Sequence, residues 1–179
     1  MTLEQIYNQH KNLVYNLALQ YVQNIEDAEE ITQDVFLAIH NNLGDFQEHS
    51  NLATWIYRIA INKALDFIKA KKRKKRFAFI TSIFLLGSNE IEHDLPNYNH
   101  PGVELENREA LSSLFRKINL LPNSQKTALI LNKIEQRSVQ EIAQTMQLNI
   151  KAVESLIQRA KKNLSKRITE AKELDKIIV

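Results

Sequence analysis

The chain has 179 residues, no cysteine, three glycines, three prolines and a formal net charge of +3. The missing cysteine excludes disulfides, thiolate catalysis and cysteine-based zinc sites, and the scarcity of glycine and proline argues against short hairpins. With 44% hydrophobic residues the chain can bury cores, and its abundant Leu, Ile, Ala, Lys, Glu and Gln favour an all-α fold.

The opening MTLEQIYNQH has no basic segment followed by an apolar one, so no secretory signal is expected. Leu3, Ile6, Tyr7, Leu13, Val14, Leu17, Ala18 and Tyr21 recur at intervals of three and four, the stripe of an amphipathic helix. Asn24 is an N-cap candidate for the next helix, and Glu26, Asp27, Glu29 and Glu30 suit its positive end. That helix is expected to run to about Asn41 with Ala28, Ile31, Val35 and Ala38 inside, until Gly44 breaks the pattern.

After the polar stretch DFQEHSN, the run LATWIYRIAINKALDFIKAKKRKKR reads as one long helix. Its first half is apolar at Leu52, Trp55, Ile56, Ile59, Ala60, Leu65 and Ile68; its end is a cationic rod. The charge changes sign sharply along the chain. Residues 1–68 carry three basic and nine acidic side chains, whereas residues 69–76 carry seven basic ones and no acid. A protein that only coats nucleic acid is basic more evenly, so the acidic block implies a second kind of partner.

The apolar patch FAFITSIFLL, Phe77 to Leu86, is about half the length of a spanning helix and is expected to extend the first domain. Residues 87–106 hold two of the prolines, two of the glycines and no Lys or Arg, which reads as an acidic linker. Three units are therefore expected: a helical domain over 1–86, the linker, and a second helical domain over 107–179.

In the second domain Leu111, Leu114, Phe115, Ile118 and Leu121 are expected inside, Pro122 restarts the chain, and Thr127 to Ile134 forms a further helix. Ser138 and Glu141 have capping-box spacing, Met146 to Leu148 reads as a tight turn, and Asn149 caps a helix with Val153, Ile157, Ala160 and Leu164 inside. Two helices on a short turn, the second strongly basic, are the pattern of a helix-turn-helix. Lys151, Glu154, Ser155, Gln158, Arg159 and Lys162 then face away from the apolar stripe, where they can read base edges or hold phosphates.

An enzyme fits poorly. The five histidines are scattered, and neither a glycine-rich phosphate loop nor a nucleophile motif is present. No catalytic residue, metal site, cofactor or small-molecule substrate is expected. An ordinary helix-turn-helix regulator remains the competing reading, but it has no need of an acidic helix followed by a basic helix end in the first domain.

AEEITQDVFLAIHNNLGDF, then TWIYRIAINKALDFIKAKKR, an acidic linker, and LLPNSQKTALIL leading into AVESLIQRAKKNL resemble the extracytoplasmic-function sigma factors of the sigma-70 family of bacterial RNA polymerase. The resemblance covers about Tyr7 to Arg167. It implies a sigma-2 domain, a three- or four-helix bundle serving the minus-ten element, and a sigma-4 helix-turn-helix domain serving the minus-thirty-five element. It also implies a cytoplasmic protein that directs promoter-specific initiation, with an anti-sigma factor that can hold it at the inner membrane.

By the same resemblance Ala28, Glu29, Glu30, Gln33, Asp34 and Phe36 dock on the clamp helices of the largest core subunit, and the flap of the second-largest subunit is a further contact. Asp45, Phe46, Gln47, Glu48, His49, Ser50, Asn51 and Leu52 form the loop that captures an unstacked base. Asn62, Lys63 and Asp66 lie beside the point of strand separation, and Lys69, Lys72, Arg73 and Arg76 approach the promoter backbone. Glu48 and Leu52 stand where many relatives have Gly and Phe, so the captured base is left open. Glu90, Glu92, Asp94, Glu104 and Glu106 of the linker would mimic nucleic acid in the polymerase channel.

Overall fold

A computed structural model describes residues 2–46, 51–85 and 105–178, which form seven α-helices and one 3₁₀ turn, with no strand among them. Helix α1 spans Leu3–Val22. It opens on a capping box in which the Gln5 N–H donates to Thr2 Oγ1 at 3.3 Å and the Thr2 N–H donates to Gln5 Oε1 at 2.9 Å. Gln23 ends it in the left-handed region at φ 55°, its N–H donating to the Leu19 carbonyl.

Helix α2, Ile25–Asn42, starts as its sequence implies: Asn24 Oδ1 accepts from the Asp27 N–H at 2.8 Å. Ala28, Ile31, Val35, Phe36 and Ile39 are buried. A 3₁₀ turn over Leu43–Asp45 closes the segment at the expected glycine break. Helix α3, Leu52–Leu85, runs nine residues beyond Arg76, so the Phe77 patch begins as a continuation of the rod. Among its described side chains the buried ones, Thr54, Ile56, Tyr57, Ala60, Ile61 and Ala64, lie in its first half.

Helices α4 (Leu105–Asn119), α5 (Asn123–Lys133), α6 (Val139–Met146) and α7 (Ile150–Ile178) follow. Phe115, Ile118, Leu129, Ile130, Leu131, Ile142, Val153 and Ile157 are buried there. Leu114, expected inside, is 36% exposed. The buried register of α4 is Phe115 and Ile118, which leaves Leu114 on the flank of the stripe. Helix α4 begins at Leu105, where the linker was expected to continue to Glu106, and residues 87–104 lie outside the described residues.

The chain divides into two units, Met1–Phe46 with Ile59–Asn99, and Gln47–Arg58 with His100–Val179. The first is the packing of α1 on α2 with the later part of α3; the second is built on α7, against which α4, α5 and α6 pack. In the first unit the Tyr7 ring meets Phe36 edge-to-face at 4.8 Å, and Lys11 Nζ lies 5.6 Å from the centroid of the same Tyr7 ring.

Candidate nucleic-acid and docking interfaces

In the first unit, the buried stripe of α2 turns its acids outward. Glu26, Glu29, Glu30, Gln33, Asp34 and Leu37 are exposed, whereas Ala28 is wholly buried and Phe36 is 8% exposed. Ala28 and Phe36 therefore pack in the core of the free chain, behind the exposed acids. Their spacing with Ile31, Val35 and Ile39 already carried that information in the sequence. Leu37, 59% exposed among the acids, was not singled out by its sequence position.

Along α3 the Asn62 and Asp66 side chains are exposed one turn apart, and Lys63 is half-buried. Lys69, Lys72, Arg73 and Arg76 are exposed; Lys71, among them, is half-buried. Its Nζ donates to Asp27 Oδ2 at 2.7 Å, with the lysine 38% and the aspartate 17% exposed. A groove runs between these helices, with Asp27, Glu30 and Asp34 on one wall and Lys63, Lys71 and Lys74 on the other. One wall repels phosphates and the other attracts them, so the two helices suit partners of opposite charge.

The loop ahead of α3 is only partly described. Asp45 lies in the 3₁₀ turn and Phe46, half-buried, closes it with an N–H donated to the Leu43 carbonyl at 3.3 Å. Gln47, Glu48, His49 and Ser50 lie outside the described residues. Asn51 caps α3, its Oδ1 accepting from the Ala53 N–H at 3.0 Å, and Leu52 is half-buried. Trp55 is also half-buried.

The second unit includes the start of α3, and there Tyr57 is engaged on both sides. Its hydroxyl donates to Glu135 Oε2 at 2.6 Å and accepts from Arg137 Nη2 at 3.2 Å, with the guanidinium 4.7 Å from the ring centroid. Burial pushes the Tyr57 phenol up to about 12; the Glu135 carboxylate adds to that and Arg137 opposes it. Arg58 Nη2 donates to the Gln144 carbonyl at 2.9 Å.

The helix-turn-helix is built as its spacing implies. Ser138 Oγ accepts from the Glu141 N–H at 3.2 Å while Glu141 Oε2 accepts from the Ser138 N–H at 2.9 Å. The Ser138 N–H and the Ser138 hydroxyl, at 2.8 Å, both donate to Glu141 Oε2 and hold the carboxyl below the usual carboxylate range, and Arg137 at 3.0 Å assists. The turn is a Schellman cap: Gln147 at φ 56° donates towards the Gln144 carbonyl and the Leu148 N–H to the Ala143 carbonyl at 3.0 Å. Asn149 Oδ1 then accepts from the Ala152 N–H at 2.8 Å and α7 begins.

Val153 and Ala160 are wholly buried and Ile157 is 6% exposed, which fixes the rotation of α7. Lys151, Glu154, Gln158, Arg159 and Lys162 are exposed and Ser155 is half-buried, so one surface gathers all six expected recognition residues. Asn163 Nδ2 donates to Gln125 Oε1 at 2.8 Å and joins α7 to α5 just beyond them.

Among the described residues no cluster of His, Asp and Glu could hold a metal ion, and no helix is long and apolar enough to cross a membrane.

Comparison with known proteins covers both units. Residues 6–74 match the family model for sigma-70 region 2 and residues 111–164 that for sigma-70 region 4. RNA polymerase sigma-H factor of Pseudomonas aeruginosa is 30% identical over 161 residues, covering 88% of this chain and 80% of that one. RNA polymerase sigma factor YlaC of Bacillus subtilis is 26% identical over 176 residues, covering 98% of this chain and 97% of its own. The solved sigma factor RpoE in complex with the anti-sigma factor NepR from Bartonella quintana has the same fold. Its TM-score is 0.68 at 18% identity, with 93% of this chain and 96% of that chain covered.

Proposed function

Because the chain belongs to the sigma-70 family, in its extracytoplasmic-function branch, and so directs promoter-specific initiation by RNA polymerase, we propose a division of labour among its helices. Helix α2 docks on core polymerase through Glu29, Glu30, Gln33 and Asp34, whose charge suits the basic clamp helices of the largest subunit. Ala28 and Phe36 hold α2 at the angle that presents those four. The second unit makes a further contact with the flap of the second-largest subunit.

Promoter contact is divided between α3 and α7. Exposed Lys69, Lys72, Arg73 and Arg76 hold phosphates and contribute affinity that falls with salt but little sequence choice. Asn62, Lys63 and Asp66 lie beside the strand-separation point. The loop from Asp45 to Leu52 takes up an unstacked base of the minus-ten element, which offsets the few kcal/mol that extrusion costs. Helix α7 enters the major groove of the minus-thirty-five element and reads base edges with Glu154, Ser155, Gln158 and Arg159, while Lys151 and Lys162 position it on the backbone.

The observation that carries this reading is the sorting of exposed charge by helix: acids on α2, cations on α3 from Lys69 onward and again on α7. We place the protein in the cytoplasm, under an anti-sigma partner that covers the docking face, as a protein held off polymerase must be. The test is initiation by purified core polymerase. Addition of the full chain is expected to give transcripts from a defined start site. Tight binding to an isolated palindromic duplex without any effect on core polymerase would identify a free-standing regulator instead.

A further inference from the structure

Two large apolar side chains flank the Asn149 cap of α7: Leu148 is 40% exposed and Ile150 is 45% exposed. Leu148 has a structural reason for its place, since its N–H closes the Schellman cap on the Ala143 carbonyl. Ile150 has no such role. It is the first residue of α7, and the Asn149 side chain caps the helix through Ala152 and not through it.

Its register is informative. Ile150 stands four residues before Glu154 and eight before Gln158, all three exposed, whereas the buried stripe runs through Val153, Ile157 and Ala160. The isoleucine therefore leads the polar, base-facing row and lies off the core. In a helix-turn-helix the N-terminal residues of the second helix meet the base edges. The apolar feature displayed there by the major groove is the 5-methyl group of thymine.

We propose that Ile150 is a specificity-determining residue that packs on a thymine methyl in the upstream promoter element. The inference rests on α7 being the recognition helix. Lys151 and Lys162 on the same surface supply salt-dependent attraction to phosphates, and an aliphatic side chain adds nothing to that term. Ile150 supplies sequence choice without charge. It does so at the leading end of the helix, ahead of the Glu154 and Gln158 side chains that hydrogen-bond to bases.

The test uses holoenzyme assembled from core polymerase and the full chain, with a promoter duplex library randomised over the upstream element. The native chain is expected to enrich thymine at one position, and Ile150→Ala to lose the preference there alone. In the selected duplex, replacing that thymine by deoxyuridine removes only the methyl group. The native holoenzyme is then expected to lose about fourfold in affinity, the worth of one buried methyl. Ile150→Ala is expected to bind both duplexes alike, with an unchanged salt slope and unchanged core affinity.

Methyl dependence that survives in Ile150→Ala overturns the proposal, as does an element without any methyl dependence. Loss of core affinity in the variant overturns it too, by placing the side chain against polymerase. Arg159→Ala separates the premise from the inference. If that variant leaves upstream affinity unchanged, the recognition-helix reading fails; if it weakens binding while Ile150→Ala changes nothing, only the role of Ile150 fails.

Discussion

Lys71 on α3 donates to Asp27 on α2 at 2.7 Å, which ties one cation of the basic rod to the acidic helix. The lysine is therefore unlike its neighbours Lys72, Arg73 and Arg76, which project outward. Phosphate affinity is expected to follow that difference. Neutralising Lys72, Arg73 or Arg76 should reduce the salt slope of promoter binding by about 0.9 each. Lys71→Met should reduce it by clearly less, and a double-mutant cycle with Asp27→Asn should give a coupling of about 0.2–1 kcal/mol in thermal unfolding.

Burial separates the residues of α2 into two kinds. Phe36→Ala should cost about 3–5 kcal/mol of stability through the cavity it leaves, measured by denaturant unfolding of the free chain. Asp34→Lys, at an exposed position, should leave stability within about 0.5 kcal/mol of the native value. It should nevertheless weaken association with core polymerase.

The caps of the helix-turn-helix are a third test. Ser138→Ala removes the acceptor for the Glu141 N–H and should cost about 1 kcal/mol, a fall in Tm of roughly 5 °C. Gln147 holds the left-handed turn position with a side chain that glycine lacks, so Gln147→Gly should raise stability by about 0.5–1 kcal/mol.

Glu141 also sets a pH dependence. Its folded-state pKa is lowered, chiefly by the Ser138 hydrogen bonds. Its contribution is therefore complete above the unfolded carboxylate pKa and lost as pH falls through the lower folded value. The Tm difference between the native chain and Glu141→Gln should be constant at neutral pH and shrink below about pH 4.5. A difference that grows on acidification would reverse the assignment.

The helix starts were legible because their signals are local: the side-chain oxygens of Asn24, Ser138 and Asn149 each accept from a backbone N–H three residues on. The rotation of α7 was equally legible, since the spacing of Val153, Ile157 and Ala160 fixes it. Ala28 and Phe36, grouped with the docking acids by family likeness, sit in the core of the free chain by their apolar register. The Lys71 pairing could not be read in advance, because it joins residues 44 apart in sequence and nothing in the run of cations marks Lys71 out for Asp27. Leu114 was missed because an apolar side chain beside a stripe looks the same in sequence as one within it.

The separation of docking from reading is tested most directly by a crossed pair of affinities, for core polymerase and for the upstream promoter duplex within holoenzyme. Asp34→Lys should lose at least tenfold in core affinity, about 1.4 kcal/mol, and keep its upstream-sequence preference once assembled. Arg159→Ala should keep its core affinity and lose about 1–3 kcal/mol of upstream binding. Equal loss of both affinities in either variant would contradict the separation.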